Sequence, residues 1–208
     1  MAISSTSMEN KILNTARELF VKKGILSTEM KDISQSLGCS RSTLYRYYPG
    51  KADIIMALAT EAIKIFSESV SIPTSLRFST GYEAIEWQIN SLIESMIIHR
   101  EEVAFIRDFD CVFTAQYPTT SNLLGFSEAI SKADAAHSIL ENFKHGIADG
   151  SIRDVTNPEL TVLTIIQGCY GIAQRILPRE HIYIDEYGYG QEMLRTFTKL
   201  VLNSVKGK

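Results

Sequence analysis

Apolar residues recur every three to four positions along most of the chain, which is the spacing of an amphipathic α-helix. The first such stretch covers residues 10–23 and is followed by Gly24, a natural helix stop. Its apolar stripe consists of Ile12, Leu13, Ala16, Leu19 and Phe20. No stretch alternates convincingly between polar and apolar residues, as a half-buried strand would. The periodicity therefore predicts an all-α protein.

Two further short helices are predicted near the N-terminus. Thr28 is a good N-cap residue and opens a helix over residues 28–37. Residues 38–40 read Gly-Cys-Ser and predict a tight turn, whose serine caps a third helix over residues 41–48. Pro49 ends that helix, because proline disfavours helical geometry in the residue before it. Two short helices joined by a glycine-containing turn form a helix-turn-helix.

The remainder of the chain predicts six further helices, which brings the expected total to about nine. They cover residues 51–71, 81–99, 101–113, 121–148, 158–177 and 190–204. Residues 181–190, HIYIDEYGYG, predict an aromatic-rich loop, with a short edge strand as the alternative. We expect a helix-turn-helix domain over residues 1–50 and a second helical domain over residues 51–208, which starts with a linker helix.

Charge is distributed unevenly between these two parts of the chain. The whole chain has a formal net charge of −3 at pH 7. Residues 1–51 nevertheless hold eight Lys or Arg against four Asp or Glu, a net charge of +4, and the rest carries −7. This asymmetry favours a polyanionic partner for the N-terminal part. Chance clustering is the alternative that charge by itself leaves open.

The third predicted helix concentrates polar side chains on one face. Placed at 100° intervals, Leu44 and Tyr48 define its buried direction. The opposite face and its flanks present Arg41, Ser42, Thr43, Tyr45, Arg46 and Tyr47. Arginine can donate two hydrogen bonds to guanine, a threonine methyl can contact thymine, and tyrosine hydroxyls can reach phosphates. The face therefore predicts a DNA-reading helix, with a solvated helix surface as the alternative.

Two residues beside that helix are predicted to hold the DNA backbone. Lys51 stands at the N-terminus of the fourth helix, where a cation opposes the helix dipole. A phosphate bound there would be favoured by both the lysine and the backbone amides. Thr28, at the start of the second helix, is similarly placed. Phosphate contacts on both sides of a base-reading helix form a docking surface for duplex DNA.

The run from Ile12 to Ile55 resembles the DNA-binding domain of the TetR family of repressors. Its most diagnostic part is the string GCSRSTLYRYYPGK over residues 38–51. The sequence departs from the family pattern at Glu29, where a second Ser or Thr is common, and at Ser34, where alanine is common. The resemblance implies a dimeric DNA-binding transcriptional regulator, with repression expected. It would bind a palindromic operator and be released by a small-molecule ligand.

The resemblance also implies a ligand cavity among helices four to eight. Such pockets are mostly apolar, with a few placed polar groups. The candidate lining residues are Phe66, Trp87, Phe105, Phe109 and Phe113. Ordinary core packing is the alternative for each of them.

The last two helices of each subunit are implied to pack across a dimer axis as a four-helix bundle. Gly168 and Gly171 would permit close helix approach there. The candidate interface residues are Leu163, Ile166, Tyr170, Phe197, Leu200 and Val201. A core inside one chain could account for either apolar stripe taken alone.

Other classes of protein find little support in the sequence. There is no Ser/His/Asp order with a nucleophile turn, no HExxH and no phosphate-binding glycine loop, so we expect neither enzyme activity nor a cofactor. The histidines lack metal-ligand spacing, so no metal is expected. Residues 160–177 are largely apolar but contain Thr, Gln and Arg, which favours a helix buried in protein over a membrane span. We expect a soluble cytoplasmic regulator; the alternative is a TetR-like DNA binder whose C-terminal domain binds a protein partner.

Overall fold

The computed structural model of this chain describes residues 7–117, 126–127 and 135–208. Within these residues all regular elements are helical, which confirms the predicted all-α class. The α-helices are α1 (Met8–Lys23), α2 (Met30–Leu37), α3 (Arg41–Tyr47), α4 (Lys51–Ser69), α5 (Gly81–Ile98), α6 (Arg100–Val112), α7 (Ala135–Asp149), α8 (Pro158–Ile176), α9 (Glu180–Tyr187) and α10 (Glu192–Val205). A 3-10 turn, Leu177–Arg179, joins α8 to α9. The helix predicted over 121–148 is observed as α7 and at residues 126–127, and its other predicted residues up to 134 lie outside the described residues.

The chain divides into two compact units. The first contains residues 1–62 and 104–130, and the second contains residues 63–103 and 131–208. In the first unit the apolar stripe of α1 faces inward, with Ile12 and Ala16 fully buried. Ile33 of α2 and Leu44 of α3 are fully buried as well. The inward faces predicted for α1 and α3 are therefore confirmed.

The start of α2 differs from the prediction. The helix begins at Met30 with Glu29 as its N-cap, so the prediction of Thr28 as the cap is wrong. The carboxylate of Asp32 accepts a hydrogen bond from the backbone N of Glu29 at 2.9 Å, and this bond lowers the pKa of Asp32. The acidic side chains of Glu29 and Asp32 complement the positive end of the helix dipole. Because they cap α2, the Thr28 hydroxyl is not needed for capping and bonds elsewhere.

A buried amide links α5 to α7 in the second unit. Gln88 is fully buried, and its nitrogen donates to the carbonyl oxygen of Val70 at 3.1 Å and to Ser138 Oγ at 3.0 Å. Its oxygen accepts a hydrogen bond from Asn142 Nδ2 at 3.0 Å. Because both N–H donors and the oxygen have partners, no polar atom of this buried amide is left without a hydrogen bond. The sequence signal for this network is a glutamine inside the apolar stripe of α5.

The helices α5 and α7 meet backbone to backbone at Gly81 and Gly146. A Cβ atom on Gly81 would overlap backbone atoms of Gly146 and the carbonyl oxygen of Asn142. A Cβ atom on Gly146 would instead overlap the side chain of Ile152. The close approach of the two helices therefore depends on Gly81, because a Cβ atom at that position would overlap the backbone of α7.

Asp149, at the end of α7, caps the N-terminus of α5. Its carboxylate oxygens accept hydrogen bonds from the backbone N of Gly81 and of Ser151, both at 2.8 Å. Ser151 Oγ accepts a further bond from the backbone N of Tyr82 at 3.1 Å. The hydrogen bonds from Ser151 and Gly81 lower the pKa of Asp149. The carboxylate thus satisfies a helix-terminal amide that has no partner inside its own helix.

We expect the stability that Asp149 contributes to depend on pH. Because its folded pKa lies below its unfolded value of about 3.9, the contribution is present above that value and is lost as the pH falls through the folded pKa. Urea unfolding should therefore show Asp149→Asn less stable than the parent near neutral pH, with the two free energies converging in acid. Asp154→Asn, at an exposed position, is the control and should track the parent. A difference for Asp149→Asn that stays constant down to acid pH would contradict the expectation.

Residues 181–190 do not form the predicted loop. Most of them belong to α9, which ends at Gly188 in a left-handed conformation with φ 77°. The rings of Tyr183 and Tyr187, one helical turn apart, lie with their centroids 5.8 Å apart. Pro178 lies in the first turn of the 3-10 segment that joins α8 to α9.

Candidate nucleic-acid interface

Two side chains anchor α3 in the first unit. Leu44 is fully buried, and Tyr48, the residue after the helix, is 8% exposed. Burial, assisted by the charges of Glu9 and Glu61, raises the pKa of Tyr48 to about 12, so its phenol stays neutral. These are the two residues that the sequence predicted to define the inward direction of the helix. The opposite face of α3 is left to solvent.

The outward face of α3 carries most of the residues predicted to read DNA. Arg41, Ser42, Tyr45 and Arg46 are exposed, and Thr43 and Tyr47 are half-buried. The guanidinium carbon of Arg46 lies 5.3 Å from the centroid of the Tyr47 ring, a cation–π distance. The helix contains two arginines and no acidic residue. This surface can attract phosphate and present planar donors to base edges.

Hydroxyl groups at the start of α3 form a small network. Ser40 caps the helix, because its Oγ accepts a hydrogen bond from the backbone N of Thr43 at 3.1 Å. The same oxygen lies 2.8 Å from both Ser42 Oγ and Thr43 Oγ1. The sequence predicted only the cap. The wider network also holds the hydroxyls of Ser42 and Thr43, which belong to the candidate reading face. In the sequence, this network is indicated by the run Ser-Arg-Ser-Thr over residues 40–43.

Thr28 lies in the interior of the first unit. It is fully buried, and its hydroxyl donates to the carbonyl oxygens of Gly24 at 2.9 Å and of Leu19 at 3.3 Å. Gly24 is the C-cap residue of α1, and Leu19 lies near the C-terminal end of that helix. Because no side-chain atom of Thr28 reaches the surface, we leave it out of the interface.

The ammonium of Lys51 is turned toward the protein. Its Nζ donates to the carbonyl oxygens of Ile25 at 2.9 Å, Leu26 at 3.1 Å and Thr28 at 2.9 Å. An ammonium has three N–H donors, so all of them are engaged. The sequence predicted a cation that offers these donors to a phosphate, and in this conformation Lys51 offers none.

The five candidates for the ligand cavity are divided between the two units. Phe66 and Trp87 belong to the second unit, and Phe105, Phe109 and Phe113 belong to the first. Phe105 and Phe109 are 3% and 2% exposed, with ring centroids 6.3 Å apart. Phe66 is 1% exposed and packs edge-on against Tyr170 at 5.8 Å. Core packing inside each unit accounts for the burial of these three rings.

Trp87 lines an open groove of about 510 Å³ along α5. The groove walls also include Phe78, Asn90 and three glutamates, and the rings of Phe78 and Trp87 lie 6.1 Å apart. One of these glutamates, Glu94, forms a bidentate ion pair with Arg195 at 2.7 and 3.0 Å, which lowers the pKa of Glu94. Across the described ranges, no group of three His, Cys, Asp or Glu side chains is arranged to hold a metal ion.

The candidate dimer residues differ in exposure. Leu163 and Leu200 are 41% and 66% exposed, and Ile166, Tyr170, Phe197 and Val201 are half-buried. A Cβ atom on Gly168 would lie 2.8 Å from Phe197 Cζ, so this glycine is explained by packing inside the chain. A Cβ atom on Gly171 would meet nothing within 4 Å. Gly171 therefore has no packing reason within the described part of its own chain.

One side of the helical segment Pro158–Tyr187 is open to solvent and includes apolar side chains. The segment is long and apolar enough to cross a membrane by length and composition, with a mean hydropathy of 1.3, although such a helix is only a weak indication of a span. Only 33% of its most apolar window is buried. The sequence predicted a helix buried in protein, and within this chain burial is confined to one side of it. The exposed side includes Leu160, which is 61% exposed.

Comparisons with known proteins agree with this architecture. Residues 12–58 match the model of the tetR family of bacterial regulatory proteins. An uncharacterized HTH-type transcriptional regulator of Mycobacterium tuberculosis is 27% identical over 127 residues, which are 61% of this chain and 59% of that protein. The chain thus spans less than two thirds of the length of this relative.

Two solved structures share the fold. A tetR-family regulatory protein from Rhodococcus RHA1 has a TM-score of 0.75 at 16% identity, and the alignment covers 98% of this chain and 100% of that chain. The TetR family transcriptional regulator PfmR from Thermus thermophilus has a TM-score of 0.71 at 16% identity, with the same coverage.

An N-terminal helix-turn-helix with an exposed third helix, followed by a helical domain, defines the class of helix-turn-helix transcription regulators. Within that class, residues 12–58 match the DNA-binding domain of the tetR family, and the described chain shares its fold with solved TetR-family regulators. The match over residues 12–58 confirms the resemblance that was recognised over residues 12–55.

Proposed function

We propose that this chain is a cytoplasmic repressor that binds a palindromic operator as a homodimer and is released from it by a small molecule. The observation that carries the proposal is α3, in which Leu44 anchors the helix while Arg41 and Arg46 face solvent. A short helix with one buried anchor and two exposed arginines suits the major groove of DNA. We assign residues 1–50 to DNA binding and residues 51–208 to ligand binding and dimerisation.

The dimer interface is proposed to lie on α8 and α10. Leu163 and Leu200 expose apolar surface on these helices, and Gly171 leaves room for a second helix to approach. A two-fold axis through this interface would give two recognition helices about one DNA turn apart, roughly 34–36 Å, as palindromic half-sites require. A second copy would also cover the exposed apolar side of α8.

The effector is proposed to bind within the second unit, where Trp87 lines the groove of about 510 Å³. An effector that binds a DNA-incompetent conformation more tightly would shift the population away from the operator-bound state. The helix α4 runs without interruption from Lys51 to Ser69 and so connects the helix-turn-helix covalently to the second unit. We propose that it transmits the change.

A second candidate function keeps DNA binding but replaces the small molecule by a protein partner. The helix α9 favours it, because none of its residues is buried. Ile182, Ile184 and Tyr187 are 38%, 50% and 61% exposed. A protein partner could cover these exposed apolar side chains. A small molecule that fills the groove and releases DNA would count against this candidate.

Selection from random duplex DNA with the purified protein tests the main proposal. We expect a palindromic sequence, bound by two chains, with log K falling linearly with log salt by about 0.9 for each phosphate neutralised. Selected operators then provide the probe for screening small molecules by release of DNA. Recovery of no preferred sequence would contradict a sequence-specific regulator.

A further inference from the structure

We propose that Lys51 is a positioning residue for DNA binding, which acts through the backbone between α1 and α2 and makes no contact with DNA. The inference rests on the proposed DNA-binding function. The sequence predicted that Lys51 contacts a phosphate. The inference assigns it a role inside the helix-turn-helix instead. The carbonyl groups that Lys51 binds lie 23 to 26 positions earlier in the chain, so the contact is a tertiary one.

Residues 24–29 connect α1 to α2, and the carbonyl groups of residues 24–28 lie outside both helices. Lys51 Nζ binds the carbonyl oxygens of Ile25, Leu26 and Thr28 at 2.9, 3.1 and 2.9 Å. The Thr28 hydroxyl binds the carbonyl oxygen of Gly24 at 2.9 Å. Two side chains therefore satisfy four carbonyls of this connection, and three of those bonds are charge-assisted.

The connection needs such a support because apolar packing holds only part of it. Ile25 is 3% exposed and anchors the beginning, whereas the next residue, Leu26, is 74% exposed. The connection leads directly into α2, and the turn after α2 leads into α3. Lys51 is the first residue of α4, so its ammonium joins the start of α4 to the entry of α2. Its loss should change how the helix-turn-helix is held, and hence where α3 lies.

A second contact in the same unit supplies a matched control. Arg17 Nη2 of α1 and Glu61 Oε2 of α4 form an ion pair at 2.8 Å. Glu61→Gln removes the charge from this contact between α1 and α4 but leaves the α1–α2 connection intact. Arg41→Gln is the second control, because it removes a cation from the outward face of α3.

The test measures affinity of the purified chain for its selected operator at several salt concentrations, at a temperature where circular dichroism shows each variant folded. Lys51→Met removes the three donors and keeps the apolar stem. We expect its affinity to fall about tenfold or more at every salt concentration, with the salt slope unchanged, because no phosphate contact is lost. Amide exchange across residues 26–33 should accelerate. Glu61→Gln should bind like the parent, and Arg41→Gln should lower the slope.

Lys51→Arg gives an independent test, which remains available if Lys51→Met does not fold. Arginine keeps the charge but its planar guanidinium cannot reproduce three bonds that converge on one nitrogen. Positioning predicts weakened binding by Lys51→Arg, and a direct phosphate contact predicts parent affinity. A salt slope reduced by about one in Lys51→Met, or parent affinity in either folded variant, overturns the proposal. If the parent selects no DNA, the proposed function fails, and unchanged amide exchange in Lys51→Met would separately show that Lys51 does not hold the connection.

Discussion

Arg46→Ala is expected to weaken operator binding by about 1–3 kcal/mol and to relax base preference at one position of each half-site. Arg46 is exposed on the outward face of α3, and the Tyr47 ring beside it at 5.3 Å restricts its guanidinium. A planar guanidinium can form two hydrogen bonds to guanine that no other base accepts in the same way. Binding titrations against single-base variants of the selected operator measure both effects.

Lys64→Ala is the matched control for this prediction, because it removes one positive charge from an exposed position of α4. We expect it to keep the base preference of the parent. Alanine is a good helix former, so Arg46→Ala should unfold at nearly the parent's temperature. Identical base preferences in Arg46→Ala and the parent would remove Arg46 from the reading face.

Gly171→Trp is expected to convert the proposed dimer into a monomer and to reduce affinity for the proposed palindromic operator by about 10²-fold or more. A Cβ atom at position 171 meets nothing within 4 Å in the described part of its own chain, so we expect the variant monomer to fold. The same side chain would occupy the space through which a second α8 approaches. Loss of the dimer separates the two half-site contacts, so the gain in affinity from binding them together is lost.

Analytical ultracentrifugation together with operator titration measures these two changes. Gly171→Ala is the control for replacing the glycine without adding a large side chain. In an exposed helix, alanine in place of glycine stabilises the helix by about 1 kcal/mol. We expect Gly171→Ala to stay folded and to bind the operator as two chains. A Gly171→Trp protein that remains dimeric with parent affinity would place the interface elsewhere, and the exposed helix α9 would be the next surface to mutate.

The sequence predicted the helices and their inward faces well, because burial of a helix face follows from local periodicity. Leu44 and Tyr48 were assigned to the inside of α3 from their spacing alone, and both are buried. The exposed position of Arg46 follows from the same spacing. α9 escaped prediction because its tyrosines and the glycine after it are also typical of loops.

The roles of Thr28 and Lys51 could not be predicted in the same way. Both side chains bind backbone carbonyl groups, and a carbonyl is present at every residue whatever its type. Lys51 reaches carbonyls 23 to 26 positions away, and Asp149 reaches the amide of Gly81 68 positions away. Such partners become visible only when the fold has brought them together. The ligand candidates posed a related difficulty, since an aromatic residue in a core and one in a pocket wall have the same sequence pattern.

The contact between α5 and α7 has a consequence for the genetics of this chain. Substitution of Gly146 brings its new side chain against Ile152, so a smaller residue at position 152 can act as a second-site suppressor. Substitution of Gly81 brings its new side chain against the backbone of Gly146 and Asn142, which no amino-acid change removes. A lesion at position 146 is therefore open to second-site suppression at position 152, whereas a lesion at position 81 clashes with backbone and has no such suppressor.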